Sequence, residues 1–303
     1  MMKAIAYSRF GGPEVLQATE AEVPQPGPGQ VRVRVHTAAV NALDGKVRSG
    51  ALEAVFPTAL PSIPGIEVAG VVDTLGKGVS GVRAGDAVLG FADTGSYAEY
   101  ALSSSYAPKP GALPWEDAVT LPVAVETADR VLRMLQLTPG ETLLIHGAAG
   151  GVGTLAIQLA TFLGVNVIAT AGPGNQEYLA TLGATPTVYG PGLVERVRAL
   201  APDGVDAVLD VAGKDAVPAS IELRGGTERI VTIADFAAQQ YGITFAAGPQ
   251  ERSASRLTEV ADLAARGKLL TTVAASYPLA DAAAAQRVSD GGHVRGKLVL
   301  TVA

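Results

Sequence analysis

The 303-residue chain has no cysteine, which excludes disulfides and every thiolate metal site. Histidine is almost as scarce: His36, His146 and His293 lie far apart without ligand-like spacing, so no protein-built zinc site is expected. Charged residues make up only 17% of the chain and the net charge is -6. Without a run of Lys or Arg the chain lacks the clustered cations that phosphate backbones require, so neither nucleic acid nor an anionic membrane is an expected partner. No apolar run approaches the roughly 18 residues that span a bilayer. The opening Met1-Met2-Lys3-Ala4-Ile5-Ala6-Tyr7-Ser8-Arg9 turns polar before a signal-peptide core develops. The expected compartment is the cytoplasm.

Hydrophobic residues, at 48%, supply enough apolar surface to offset the entropy of ordering a globular chain. The 36 glycines and 19 prolines make it turn-rich, with no repeat period or low-complexity tract. Up to about Leu113 the strand-like stretches are short and separated by Gly or Pro: 3–7, 31–39, 67–75, 87–90 and 96–102. That is the texture of a β-rich domain. From Trp115 helical segments alternate with brief apolar runs, the pattern of βαβ units around a parallel sheet. Strands are expected at 142–146, 165–170, 207–211 and 229–233, with helices at 154–163, 176–182, 193–201 and 253–266. A last strand at 297–302 is free to return to the first domain. The domains are drawn at residues 1–115 with 268–303, and at 116–267.

Between strand 142–146 and the next helix lies Gly147-Ala148-Ala149-Gly150-Gly151-Val152-Gly153, with Ala148, Gly150 and Gly153 in dinucleotide spacing. Small residues let the backbone approach a pyrophosphate, and the unpaired amides and dipole of the helix attract its charge. A glycine loop that merely packs helix against strand is the plainer alternative, and His146 reads as a strand-end packing residue. Dinucleotide selectivity is usually set at the end of the second strand, by an acid for a ribose diol or a base for a 2′-phosphate. Ala171-Gly172-Pro173-Gly174-Asn175-Gln176 offers neither. An uncharged loop repels a phosphate less than an Asp would, and Asn175 can donate hydrogen bonds, so NADPH is preferred and NADH stays open. Ile233, at the end of strand 229–233, is also placed at the cofactor.

The chain resembles the medium-chain dehydrogenase/reductase superfamily and, within it, the zinc-independent quinone oxidoreductases. The likeness runs from Lys3-Ala4-Ile5 and Phe10-Gly11-Gly12-Pro13-Glu14-Val15-Leu16, through Pro26-Gly27-Pro28-Gly29-Gln30-Val31 and Val40-Asn41-Ala42-Leu43-Asp44, to Pro64-Gly65-Ile66-Glu67-Val68-Ala69-Gly70. It continues through Gly85-Asp86-Ala87-Val88, Gly95-Ser96-Tyr97-Ala98-Glu99-Tyr100 and the Gly147 loop to Arg295-Gly296-Lys297-Leu298-Val299-Leu300. The resemblance implies an α/β protein. A GroES-like β-rich catalytic domain is built from both termini, a Rossmann domain with a doubly wound parallel sheet lies between, and the nicotinamide sits in a cleft where they meet. It also implies a homodimer. Zinc-containing relatives carry a Cys near Val40 and a His where this chain has Ile66, so zinc is not expected.

By the same resemblance Asn41 contacts the nicotinamide ribose, Thr127 lies against the cofactor, and Gly150, Gly151, Val152 and Gly153 hold the pyrophosphate. Lys297, with Gly296, touches cofactor as well. The plainer alternatives are a helix cap for Asn41 and a surface ion pair for Lys297. Without a metal to polarise a carbonyl, the acceptor must delocalise its own developing charge, as quinones and enones do. Lys46 is the candidate to stabilise the forming enolate, against the alternative of a solvated helix lysine. Tyr97 reads as packing, and Glu126, where relatives carry an apolar residue, has no evident reason. The substrate pocket is expected to be lined by 50–61 and 236–245. Two further readings stay open: an enone or enoyl reductase of one metabolite, and a non-catalytic NADPH-binding redox sensor.

Overall fold

The computed structural model describes residues 1–213, 216–246, 248 and 252–302. They form two compact units, 1–123 with 252–303 and 124–251.

In the first unit β1 (Met2–Ala6) pairs antiparallel with β2 (Gln17–Ala21). The larger sheet uses β3 (Val31–Val40), which leads into helix α1 (Ala42–Arg48), then β4 (Glu67–Leu75), β5 (Ala87–Phe91), β6 (Tyr100–Ser103) and β7 (Ser105–Pro108). A short helix α2 (Trp115–Ala118) follows, and α3 (Leu121–Leu135) carries the chain into the second unit. Strand β3 alternates buried and exposed residues over its first half, with Val31, Val33 and Val35 inward, as a strand covered on one face must. At Ala38–Val40 it is buried on both faces. The stretch expected as one strand over 96–102 ladders only from Tyr100: Ser96 and Tyr97 give their amides to the carbonyl of Pro64, leaving Ala98 a single bridge to Ala4.

The second unit is a six-stranded, wholly parallel sheet in the order β10-β9-β8-β11-β12-β13. Its elements are β8 (Thr142–His146), α4 (Gly151–Phe162), β9 (Asn166–Ala171), α5 (Gln176–Thr181), β10 (Thr185–Val188), α6 (Leu193–Leu200) and β11 (Ala207–Asp210). Helix α7 (Ala216–Arg224), β12 (Ile230–Thr232) and β13 (Thr244–Phe245) complete it. The order turns around β8, the doubly wound arrangement of a Rossmann sheet, which places its ligand crevice at the carboxyl ends of the central strands. Strand β8 is apolar at Leu143, Leu144 and Ile145 because helices cover both faces of a parallel sheet.

The chain then returns to the first unit with α8 (Ala254–Ala265), β14 (Val273–Pro278), α9 (Ala282–Asp290) and β15 (Lys297–Thr301). Ser253 caps α8 by accepting from the amide of Arg256. Helix α8 lies against β7, which puts it in the first unit with α2, whereas the sequence texture assigned both to the parallel-sheet domain. Strand β15 pairs antiparallel with β3, so the carboxyl-terminal strand closes the β-rich unit as its pattern allowed.

Candidate functional site

In the second unit the chain leaves β8 at His146 and turns on Gly147, whose φ of 71° is in the left-handed region. The amide of Ala148 bonds to the carbonyl of Thr170 and its side chain is fully buried, so Ala148 shapes the turn from beneath instead of offering a donor. A Cβ at Gly153 would lie 2.6 Å from the Ala148 backbone, which is why only glycine fits there. Gly150 is different. It takes the N-cap position of α4 with no side-chain cap, and a Cβ there would meet nothing closer than the Gly147 carbonyl at 3.6 Å. The amides of Gly151, Val152 and Gly153 belong to the first turn, where a helix supplies no internal acceptors. An uncapped twelve-residue helix behind an open glycine leaves amides and a positive dipole end, which favour an anion.

His146 lies under this loop, buried between Thr170 and Ser220 at 3.3 and 3.1 Å. The Ser220 hydroxyl donates to Ala216, so Nε2 carries the proton toward Ser220 and Nδ1 accepts from Thr170. Burial lowers its pKa to about 4. It is the neutral strand-end packing residue that its position suggested. Beyond β9, Gln176 donates to the carbonyls of Ala171, Gly172 and Thr187, fixing the loop that carries Asn175. Ile233 lies just past β12, half-buried, with its amide on the Asp210 carbonyl.

On α3, Thr127 is buried and donates to Glu126. Glu126 in turn is paired with Arg130, whose guanidinium also reaches the Ala246 carbonyl. The carboxylate that sequence could not account for therefore holds α3 to the segment after β13.

In the first unit four elements converge on one buried cluster. Asn41 is the N-cap of α1, its amide bonded to the Asp44 carboxylate at 2.9 Å. Of its side chain, Nδ2 donates to Glu67 at 2.8 Å, while Oδ1 accepts from the ammonium of Lys297. Lys297 also pairs with Glu67, and the other Glu67 oxygen accepts the amide of Val123 in the first turn of α3 at 2.7 Å. The surface ion pair offered as the plainer alternative for Lys297 is thereby revised: the pair exists, but it is buried. Lys46 lies in the last turn of α1 and is half-buried.

Asp44 continues the network to Tyr97, whose hydroxyl donates at 3.1 Å, and so to Gln286, Arg48 and Asp290. Burial raises the Asp44 pKa to about 7, against the lowering effect of the Asn41 amide and Lys297, and burial also pushes the Tyr97 hydroxyl up. Tyr97 is thus both the core residue expected and a hydrogen-bond relay. Glu67 and Gln286 were missed as parts of a site. Their signal was an acid inside an apolar strand and a Gln on the inner face of α9, either of which must find partners when buried.

Two family models match: the GroES-like domain of alcohol dehydrogenases over residues 27–110, inside the first unit, and a zinc-binding dehydrogenase model over residues 182–300, which spans parts of both units. The rat quinone oxidoreductase is 33% identical over 77% of this chain and 73% of its own length. The chain belongs to the quinone oxidoreductase family of medium-chain dehydrogenase/reductases. As a member it is an oxidoreductase. The tomato 2-methylene-furan-3-one reductase is 35% identical over 76% of this chain and 62% of its own. Among solved structures, a mycobacterial protein complexed with NADPH is 28% identical, with a TM-score of 0.86 over 99% of this chain and all of that one.

Although one matching model is named for zinc, the residues of this quinone oxidoreductase relative do not fit that metal. The chain has no cysteine, no group of three His, Asp or Glu gathers among the described residues, and the buried Glu67 is taken by Lys297. Nor does any described helix have the length and apolarity to cross a membrane.

Proposed function

We propose that the protein is an NAD(P)H-dependent, zinc-free reductase that delivers a hydride to a quinone or another conjugated carbonyl compound. The observation that carries this is the uncapped α4 N-terminus behind Gly150, at the carboxyl edge of a doubly wound parallel sheet. When bound, the dinucleotide supplies the hydride. Gly150, Gly151, Val152 and Gly153 receive its pyrophosphate. The loop after β9 presents Asn175 and no carboxylate to the ribose, which favours NADPH and leaves NADH admissible.

Asn41 holds the nicotinamide ribose. Its side-chain amide is oriented beforehand by Lys297 and Glu67, and its main-chain amide is held by Asp44. Thr127 contributes from α3. Hydride addition to a quinone or to the β carbon of an enone leaves a phenolate or enolate, and Lys46 stabilises that charge. Specificity falls to the segments 50–61 and 236–245, where Val55, Phe56 and Phe236 are exposed apolar groups. The tomato relative favours a second reading within the same chemistry, a reductase of one particular enone. The proposed homodimer pairs through β13, the edge strand of the second unit's sheet, and a monomeric mass in solution would reject it.

The test is to titrate the protein with NADPH and NADH by fluorescence and then add 1,4-naphthoquinone or a simple α,β-enone. Oxidation of bound NADPH by either acceptor is the expected result. Tight binding without turnover on any acceptor would move the protein to the sensor class.

A further inference from the structure

On one side of β8 the next two strands of the sheet, β11 and then β12, end in the same device. Asp210, the last residue of β11 and fully buried, accepts the amides of Ala212 and Gly213 on one oxygen, each at 2.9 Å. Thr232, the last residue of β12, accepts the amides of Ala234 and Asp235 at 3.1 and 3.0 Å. Each side chain thus closes the turn that follows it. The two are then joined, because the Thr232 hydroxyl donates to the second Asp210 oxygen at 2.7 Å.

These turns abut the phosphate loop. The amide of Val211 bonds to the carbonyl of His146, and a Cβ at Gly147 would lie 3.0 Å from Ala212. On the other side a Cβ at Gly213 would lie 3.3 Å from the Ala234 carbonyl. A dinucleotide with its pyrophosphate on α4 and its adenosine half over β9 must lay its other half over the ends of β11 and β12. We propose that Asp210 and Thr232 are positioning residues for the nicotinamide half of the cofactor: locked together, they fix the two turns on which that half rests. This inference rests on the cofactor reading above.

The lock is chemically particular. Thr232 uses its one hydrogen on Asp210 and both lone pairs on amides, so its partner must be a pure acceptor. An asparagine at 210 can serve the two amides with its oxygen, but its NH2 then faces a hydroxyl with no lone pair left. Asp210→Asn therefore breaks the lock as surely as Thr232→Val does.

The experiment measures binding of NADPH and of its adenosine fragment, 2′-phospho-ADP, to the full chain and to Thr232→Val, Thr232→Ser and Asp210→Asn. Thr232→Val keeps the shape and loses the hydroxyl, whereas Thr232→Ser does the reverse. The expected result is a roughly tenfold rise in the NADPH Kd for Thr232→Val and Asp210→Asn, the scale of one lost buried hydrogen bond. Thr232→Ser should stay near the parent value, and the fragment should bind all four proteins within about twofold. Emission of the bound reduced nicotinamide should shift toward that of the free cofactor in the two broken variants only. If Val is tolerated better than Ser, or if NADPH and fragment weaken together, Thr232 acts through packing and the inference is overturned. A parent chain that binds neither ligand would overturn the cofactor reading itself, and this inference with it.

Discussion

Replacing Lys297 by methionine tests the buried cluster most sharply. Glu67 has no solvent exposure and the Lys297 side chain only 7%. In Lys297→Met the carboxylate keeps the Asn41 and Val123 donors, both neutral, and loses the ammonium paired with it. Stranding one member of such a pair costs about 3–5 kcal/mol, a large part of the roughly 5–15 kcal/mol that holds a domain folded. Trp115 is the only tryptophan in the chain, lies in the same unit and is stacked on His36 at 4.4 Å, so its fluorescence reports this unit in urea. Lys297→Met should move the midpoint far toward low urea. Adding Glu67→Gln removes the stranded charge and should restore about half of the loss or more, giving a coupling energy of about 2 kcal/mol or larger. A single-variant cost below about 1 kcal/mol would refute the reasoning, since that is the range of a solvent-screened pair.

Four other outcomes follow from the same geometry. Gly150→Ala should leave the urea midpoint within about 0.5 kcal/mol while weakening NADPH binding, whereas Gly153→Ala drives a methyl into the Ala148 backbone and should lose about 1–3 kcal/mol as well as binding; equal effects of the two on stability would contradict the loop geometry. His146 has a folded pKa of about 4 against 6.5 unfolded, so the unfolded chain binds the extra proton between those values. Its contribution of about 3 kcal/mol is present above pH 6.5 and is lost as pH falls toward 4, which a pH series of melts on the parent and His146→Gln would resolve. Asp44 has the opposite sign: with its pKa raised to about 7 the folded chain holds the proton, stability declines as pH rises from 4 through 7, and Asp44→Asn should flatten that decline. Lys46→Ala should lower kcat with NADPH and quinone without changing the NADPH Kd; unchanged turnover would remove Lys46 from the reaction.

Much of the fold could be read from local pattern because it is locally encoded. The strand at 142–146, its glycine turn and the apolar helix after it are contiguous, and the periodicity that marks β4, β8 and α6 lies within each element. Strands β2 and β14 escaped notice for the opposite reason. Gln17–Ala21 is almost wholly exposed and Val273–Pro278 alternates only half-buried residues, so neither shows the apolar run of a core strand. The division at 251 was hidden because α8 has the amphipathic pattern of any surface helix, and which sheet it covers is a tertiary fact.

The candidate site divides along the same line. The glycine loop is a local motif. The Glu67, Asn41 and Lys297 cluster joins residues up to 256 positions apart, and the Asp210–Thr232 lock joins residues 22 apart through strands that pair only when folded. Asn41 could be read as a cap from Asp44 three residues on, but the direction of its side chain depends on two charges brought in by β4 and β15. Glu126 looked anomalous for a similar reason, since its partner Arg130 was one helical turn away but the carbonyl that completes the arrangement belongs to Ala246.

The most direct test of the account is a fluorescence titration of the full chain with NADPH followed, in the same cuvette, by a quinone. The account predicts saturable binding at micromolar cofactor or below and loss of the reduced-nicotinamide signal once the quinone is added. No binding of NADPH or NADH at millimolar concentration would contradict it.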